Sequence, residues 1–405
     1  MDHGLTLVII ADDLTGSFDT GVQFKKRGAS VSFTLLDNLD TFPAAADVVV
    51  IDTESRHDQA DIAYEKNMRA VCWAKNHGAR HLYIKTDSGL RGNIGVSLKA
   101  ALDGTGDTIA VFAPAYPDMK RYTKNGCQFI DGVPVHLSVF GRDPFDPVTA
   151  PTIRELVSSS GLATEELQPA GAWPPIHSSA TVWILDAQSN DDLMQIAQRL
   201  HQQGLLHITA GCAAFAAALY SCFNLPTKCK SPDPMISPLL VVCGSVNPIT
   251  RSQILYAQEL GFERRVISPA SLTNDGFWYG PLGAAWRKEL IALVQKGKHV
   301  IIDTGLESTA SYTSLHGTIA ARRGWLMHEL LIQLQDVTCT PLLIGGDTLM
   351  GFFSVFAQPD IQLEGELKCG VSIFSISLAG RRIRLLSKSG GFGEATLLEK
   401  LTDAR

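Results

Sequence analysis

Residues 5–28 read LTLVII-ADDLTGS-FDTGVQFKKRG. An apolar run of strand length passes straight into two adjacent acids and a Thr-Gly pair. A stretch with helical apolar spacing follows and closes on Lys26-Arg27-Gly28. The same unit recurs downstream: VVVID (48–52) precedes TESRHD, and HLYIK (81–85) precedes TDSGLRGN. IAVFA (109–113) precedes PAYPD, and VWILD (182–186) precedes AQSND. Short apolar runs alternating with helices predict a parallel sheet covered on both faces. Each polar cluster falls just after a strand, at the edge where open α/β sheets bind ligands.

A second series follows, with LLVVC (239–243) before GSVNP, HVIID (299–303) before TGLES, PLLIG (341–345) before GDT and IRLLS (383–387) before KSGGFG. Between the two series, residues 224–238 read NLPTKCKSPDPMISP, four prolines without a hydrophobic period, which marks a linker. The 405-residue length also exceeds what one compact core usually supports. The expectation is two α/β domains with mainly parallel sheets flanked by helices, over residues 1–230 and 238–405.

Net charge narrows the partners. At −6 the chain lacks the basic excess that favours nucleic acid, while a few local cations still suffice for a small anion. The eight cysteines include no C-x-x-C pair, so buried reduced thiols are expected rather than zinc or a disulfide framework. Asp2 stands where a signal peptide would be basic, and no apolar run approaches the ~20 residues of a membrane span. A cytoplasmic protein without membrane attachment is expected.

In the first series, Asp12-Asp13 with Thr15-Gly16, Glu54-Ser55-Arg56, and Lys85-Thr86-Asp87-Ser88 with Arg91-Gly92-Asn93 share one sheet edge. Arg56, Lys85 and Arg91 there suit a carboxylate, which Arg grips by two parallel bonds. The acids suit sugar hydroxyls, and one of them could take a proton from an attacking hydroxyl. The plainer alternative is that Asp12 or Asp13 caps the following helix and the cations pair with neighbouring acids. Residues 113–147 lack a helical period, with a hairpin in QFIDGVPVHLSVF. They read as a cover for the site, a contact in a homodimer, or an excursion without a catalytic part.

In the second series neither a P-loop nor a complete G-x-G-x-x-G is found. Three strand-to-helix turns instead suit phosphate: Gly244-Ser245 before Pro248, Gly345-Gly346-Asp347-Thr348, and Lys388-Ser389-Gly390-Gly391-Phe392-Gly393, read as opening the last helix. Glycines admit backbone N–H groups close to an anion, and a helix N-terminus adds partial positive charge. Asp347 suits Mg²⁺ or a ribose hydroxyl, and Lys388 a phosphate. A fourth turn, Asp303-Thr304-Gly305, has no assignment.

The segments IADDLTGSFDTGVQFKKRG, DTESR, KTDSGLRGNIG, CGSVNPITRSQI, IGGDT and KSGGFGEATLLEKL, in this order from residue 9 to nearly the C-terminus, resemble the four-carbon acid sugar kinase family. The resemblance implies transfer of the ATP γ-phosphoryl group to the terminal hydroxyl of a threonate-, erythronate- or 3-oxo-tetronate-type acid; helix N-termini and Mg²⁺ are expected to neutralise the phosphates. It implies substrate contacts at Asp13, Arg56, Lys85, Asp87 and Ser88; Asp87 or Asp13 is then expected to be the catalytic residue, orienting or deprotonating the hydroxyl. It implies ATP contacts at Ser245, Gly345, Gly346, Asp347, Thr348 and Gly391. Closure of the two domains would exclude water from the reaction. Gly89 stands where the family commonly has Thr, a change expected to affect which stereoisomer fits. Rival readings are a nucleotide-cofactor oxidoreductase and a non-catalytic sugar-acid sensor.

Overall fold

The computed structural model describes residues 5–143, 146–176, 178–227, 238–305, 315–334, 338–356 and 360–402. The chain divides into two compact units, Met1–Lys230 and Ser231–Arg405. Most of the expected linker, residues 228–237, lies outside the described residues.

The first unit is built on eight parallel strands: β1 (Leu7–Ala11), β2 (Val31–Leu35), β3 (Val48–Asp52), β4 (His81–Lys85), β5 (Ile109–Ala113), β9 (Ala163–Leu167), β10 (Thr181–Leu185) and β11 (Ile208–Gly211). Their order is β2-β3-β1-β4-β11-β5-β10-β9, and every pairing is parallel. Every residue of β1, β3 and β5 is buried, as near-continuous apolar runs between two helical layers require. The chain runs from β1 to one side of the sheet through helix α1 (Leu14–Lys25). It returns across β1 through helix α2 (Ala60–Asn76) to β4, which leads into helix α3 (Ile94–Thr105). That reversal opens the carboxyl edge between β1 and β4 as a binding crevice.

Between β5 and β9 lies a small antiparallel sheet of β6 (Arg121–Lys124), β7 (Cys127–Ile130) and β8 (Val133–Pro134). Two tight turns make it, Asn125-Gly126 and Asp131-Gly132, with all four residues at positive φ. The expected hairpin in this segment is therefore present, preceded by one more strand.

The second unit carries β12 (Leu239–Cys243), β13 (Glu263–Val266), β14 (Val300–Asp303), β15 (Thr340–Ile344), β16 (Ile361–Lys368), β17 (Val371–Leu378) and β18 (Arg381–Lys388), in the order β13-β14-β12-β15-β18-β17-β16. The first five in that order are parallel, and β16–β17–β18 run antiparallel. This antiparallel arm was not expected. Its β17–β18 connection is a two-residue turn, Ala379-Gly380, again with both residues at positive φ.

The described cysteines are all free. Cys212 and Cys243 are buried, and burial pushes both thiols up to about 11. Cys72 and Cys369 are exposed, so the expected burial does not extend to every thiol. Among the described residues no helix is long and apolar enough to cross a membrane.

Candidate functional site

In the first unit the polar residues after β1, β3 and β4 interlock. Arg56 donates from Nε to Asp12 Oδ2 (3.0 Å) and from Nη2 to Asp12 Oδ1 (2.8 Å) and Asp13 Oδ1 (2.5 Å). Asp13 also caps α1, accepting from the Gly16 amide (3.1 Å) and the Thr15 hydroxyl (2.6 Å). The cap is thus Asp13, while Asp12 is the bidentate partner of Arg56. Burial opposes ionisation of Asp13, but the cations of Arg56 and Lys85 outweigh it and hold the carboxyl below the usual range.

Asp87 is gripped at both oxygens by Arg91, from Nε (2.7 Å) and Nη2 (3.2 Å). Burial raises its pKa, yet Arg91 and Arg56 hold it well below the ordinary carboxylate value. Lys85 Nζ donates to the Thr86 carbonyl at 2.7 Å and lies over the first turn of α1, within 2.7 Å of where a Cβ on Gly16 would stand. Its side chain is 5% exposed and forms no ion pair among the described residues. Of the three expected carboxylate-binding cations, Lys85 is therefore the one in no ion pair among the described residues, although its charge acts on nearby Asp13.

A second acidic pair lies beside this group. Glu54, at φ 44°, accepts the Leu14 amide of α1 at 3.0 Å, and its own amide donates to Asp52 Oδ1 at 3.2 Å. Desolvation of the carboxyl, then the charge of Asp13, pushes Glu54 up to about 7.

Residues 113–147 reach this site within the same unit. Arg121, on β6, donates to the Ser88 hydroxyl, and Gln128 Nε2, on β7, donates to the Ser88 carbonyl at 3.2 Å. Asp143 accepts from Arg91 Nη1 at 3.0 Å. The guanidinium groups of Arg91 and Arg121 both lie over the Phe140 ring, 5.2 and 5.1 Å from its centroid. The ring also fills the space a side chain at Gly89 would need. Arg121, Phe140 and Asp143 were not legible beforehand, because a turn-rich excursion carries no period that says which strand end it folds over. A cavity of about 380 Å³ takes in Arg91, Asn93 and Glu155, but neither Arg56 nor Lys85.

In the second unit, three turns gather at the carboxyl ends of the neighbouring strands β12, β15 and β18. The Gly244 amide donates to the Ile344 carbonyl and the Gly345 amide to the Lys388 carbonyl, each at 3.0 Å. A Cβ on Gly390 would strike the Ser245 hydroxyl, and one on Gly345 would come within 3.4 Å of the Ser245 amide. Ser245, Gly345 and Gly390 are therefore immediate neighbours. Helix Pro248–Glu259, capped by Asn247, begins just after the first turn, and helix Gly346–Phe353 at the second, with Asp347 and Thr348 in its opening residues.

The third turn differs from expectation in two respects. The last helix starts at Leu397, so Gly391 and Gly393 precede it without opening it. Gln253 Nε2 donates to the carbonyls of Phe392 (2.9 Å) and Glu394 (3.0 Å), pinning the chain short of the helix. Lys388 is 0% exposed and donates to the Ser389 carbonyl (2.8 Å) and the Thr250 hydroxyl (3.2 Å). Its ammonium shapes the glycine turn from inside, where it had been expected to meet phosphate directly. Burial pulls it down to about 7.

Asp303, previously unassigned, ends β14 and takes both forks of Arg264, at 3.0 and 2.8 Å. Asp303, Thr304 and Gly305 line a small pocket with Ser245 and Arg251. No group of three or more metal-ligating side chains occurs among the described residues.

The chain thus has two α/β units, one with interlocked acids and cations at its sheet edge and one with converging glycine turns. A family model described as the sugar-binding N-terminal domain matches residues 7–219. The chain is 29% identical to a D-threonate kinase of Salmonella typhimurium, covering 98% of both chains, and 29% identical to a D-threonate kinase of Bordetella bronchiseptica, covering 98% of this chain and 96% of that one. A solved Haemophilus influenzae protein of the DUF1537 family shares the fold, at a TM-score of 0.66 and 19% identity over 98% of this chain and 99% of that one. This chain belongs to the sugar-binding N-terminal domain family, among the four-carbon acid sugar kinases.

Proposed function

We propose that this protein is an ATP-dependent kinase that phosphorylates the terminal hydroxyl of a four-carbon sugar acid, the first unit binding the acid and the second the nucleotide. The observation that carries the reading is the convergence of Ser245, Gly345–Thr348 and Gly390 at one edge of the second sheet. Their amides and two helix N-termini suit phosphate oxygens. The D-threonate kinase relatives support the acceptor class.

In this reading Lys85, with Arg56, binds the substrate carboxylate, and Ser88 and Asp13 hold hydroxyls. Asp87 stays ionised under the grip of Arg91, so it orients the acceptor as a hydrogen-bond acceptor and is a poor proton store. Asp13, also held below its ordinary value, acts in the same way. A weak base suffices where the transition state is loose and the acceptor hydroxyl loses its proton late, so positioning and charge stabilisation do most of the catalysis. Mg²⁺ held by Asp347 and the nucleotide phosphates would supply charge neutralisation, which fits a site with few protein carboxylates. Lys388 keeps the turn 388–393 in shape. A cytoplasmic setting, with ATP and reduced thiols, belongs to the same reading.

The test is ADP release on incubation with ATP, Mg²⁺ and each of D-threonate, L-threonate, D-erythronate and 3-oxo-tetronate. Turnover with at least one supports the reading. Release with none of them, by folded protein, overturns it.

A further inference from the structure

Helix His316–Gln333 carries Arg323 into the interior of the second unit. The residue is 3% exposed, and its Nε and Nη1 have no hydrogen-bond partner among the described residues. A guanidinium cannot shed its proton, so burying it without partners is strongly destabilising. Desolvation does lower its affinity for the proton, only partly offset by the fields of Cys243 and Asp347.

The group cannot easily withdraw. Its helix crosses helix Gly346–Phe353 at Gly324 and Gly351, where the two backbones meet so closely that a Cβ on either glycine would strike the other helix. The guanidinium lies against the first phosphate-type turn: a Cβ on Gly244 would collide with both Arg323 and the Thr348 hydroxyl. Thr348 is 0% exposed, and its Oγ1 is likewise without a partner. Two turns suited to an anion thus meet at a buried cation and a buried hydroxyl, each with hydrogen-bonding capacity to give.

We propose that Arg323, together with the Thr348 hydroxyl, binds phosphate oxygens of the nucleotide at the junction of the Gly244–Ser245 and Gly345–Thr348 turns. This rests on the nucleotide reading of the second unit and deepens it, by naming a cation that holds the polyphosphate. Arg presents several N–H donors in a planar array matched to phosphate, and bound phosphate would satisfy both orphaned groups at once. Thr348 is already expected at the nucleotide site, whereas nothing in the sequence announces Arg323. Arg323 follows Arg322 on an ordinary helix, and Arg322 pairs on the surface with Asp275.

The test uses the full-length protein and its Arg323→Met and Arg323→Lys variants, titrated calorimetrically with adenosine, ADP, ATP and inorganic pyrophosphate. The expected result is that Arg323→Met weakens ADP, ATP and pyrophosphate by roughly 10- to 100-fold and leaves adenosine unchanged, with Arg323→Lys intermediate. Unliganded Arg323→Met should melt no lower than the parent, because an unpaired buried charge has been removed. A role in packing alone predicts the opposite pattern, a lower melting temperature with phosphate dependence intact. If the parent binds ATP and Arg323→Met binds it equally, the proposal is overturned and the nucleotide site stands. If the parent binds pyrophosphate but not ATP, the anion site stands and the nucleotide reading falls. If the parent binds none of them, both fall.

Discussion

Arg56 holds Asp12 and Asp13 together at a depth where all three side chains are poorly hydrated, 9%, 9% and 15% exposed. Removing it strands two carboxylates. Arg56→Ala should therefore cost about 3–5 kcal/mol in urea denaturation of the first unit and abolish turnover. A loss well under that range would mean that the acids relax into solvent. Lys388 makes a pH prediction with a defined sign. Its folded-state value near 7 lies below the unfolded 10.5, so the unfolded chain binds more protons between those limits and stability rises with pH. Measured against Lys388→Met to cancel other groups, the parent should gain about 2 kcal/mol between pH 7 and 9. A flat difference would place the ammonium in contact with water. Asp13, Arg56, Lys85 and Asp87 were recognisable as a group because each follows an apolar strand. Pairing between these acids and cations was one of two open readings; that Arg56 takes both Asp12 and Asp13 while Arg91 takes Asp87 was not legible, since the Arg56 partners depend on which strands become neighbours.

At the scale of elements, the unusual contact is the crossing of helices His316–Gln333 and Gly346–Phe353. A methyl group added at Gly351 would press on the Ala320 carbonyl. Gly351→Ala should destabilise the second unit by about 1–3 kcal/mol, as overpacking does, and weaken ATP binding by displacing Arg323. Unchanged affinity at reduced stability would separate the crossing from the site. Local signals explain which elements could be read. Strand β7 and its Asp-Gly turn announce themselves, whereas the β17–β18 turn uses Ala379-Gly380, a pair with no strong hairpin signature. The arm β16–β17 was missed for that reason. Phe140 was missed for another: its position over Gly89 depends on the return path of a loop that local sequence does not specify.

At the scale of the molecule, each unit has its own apolar core, one centred on residues such as Val8, Ile51 and Phe112 and the other on Val241, Ile301 and Leu342. Ligands should then act unit by unit. The substrate acid should raise the unfolding transition of the first unit, and Mg-ATP that of the second. Asp347→Ala should abolish ADP release while leaving sugar-acid binding nearly unchanged, as measured by calorimetry. Loss of acid binding with nucleotide binding intact would reverse the assignment of roles to the units.

The alternation of buried strands and amphipathic helices, and with it the polar sheet edges, is written in the order of residues along the chain. Hydrophobic period and turn chemistry are local properties, and they determined the α/β class and the two series of strand-end clusters. Packing decided the rest. It made Asp13 the cap and Asp12 the partner of Arg56, turned Lys388 inward, folded Phe140 over Gly89 and left Arg323 buried beside Gly244 and Thr348. Apart from the Asp13 cap, each of those outcomes joins residues far apart in sequence, and only the closed core settles how much water and which opposite charge each group meets.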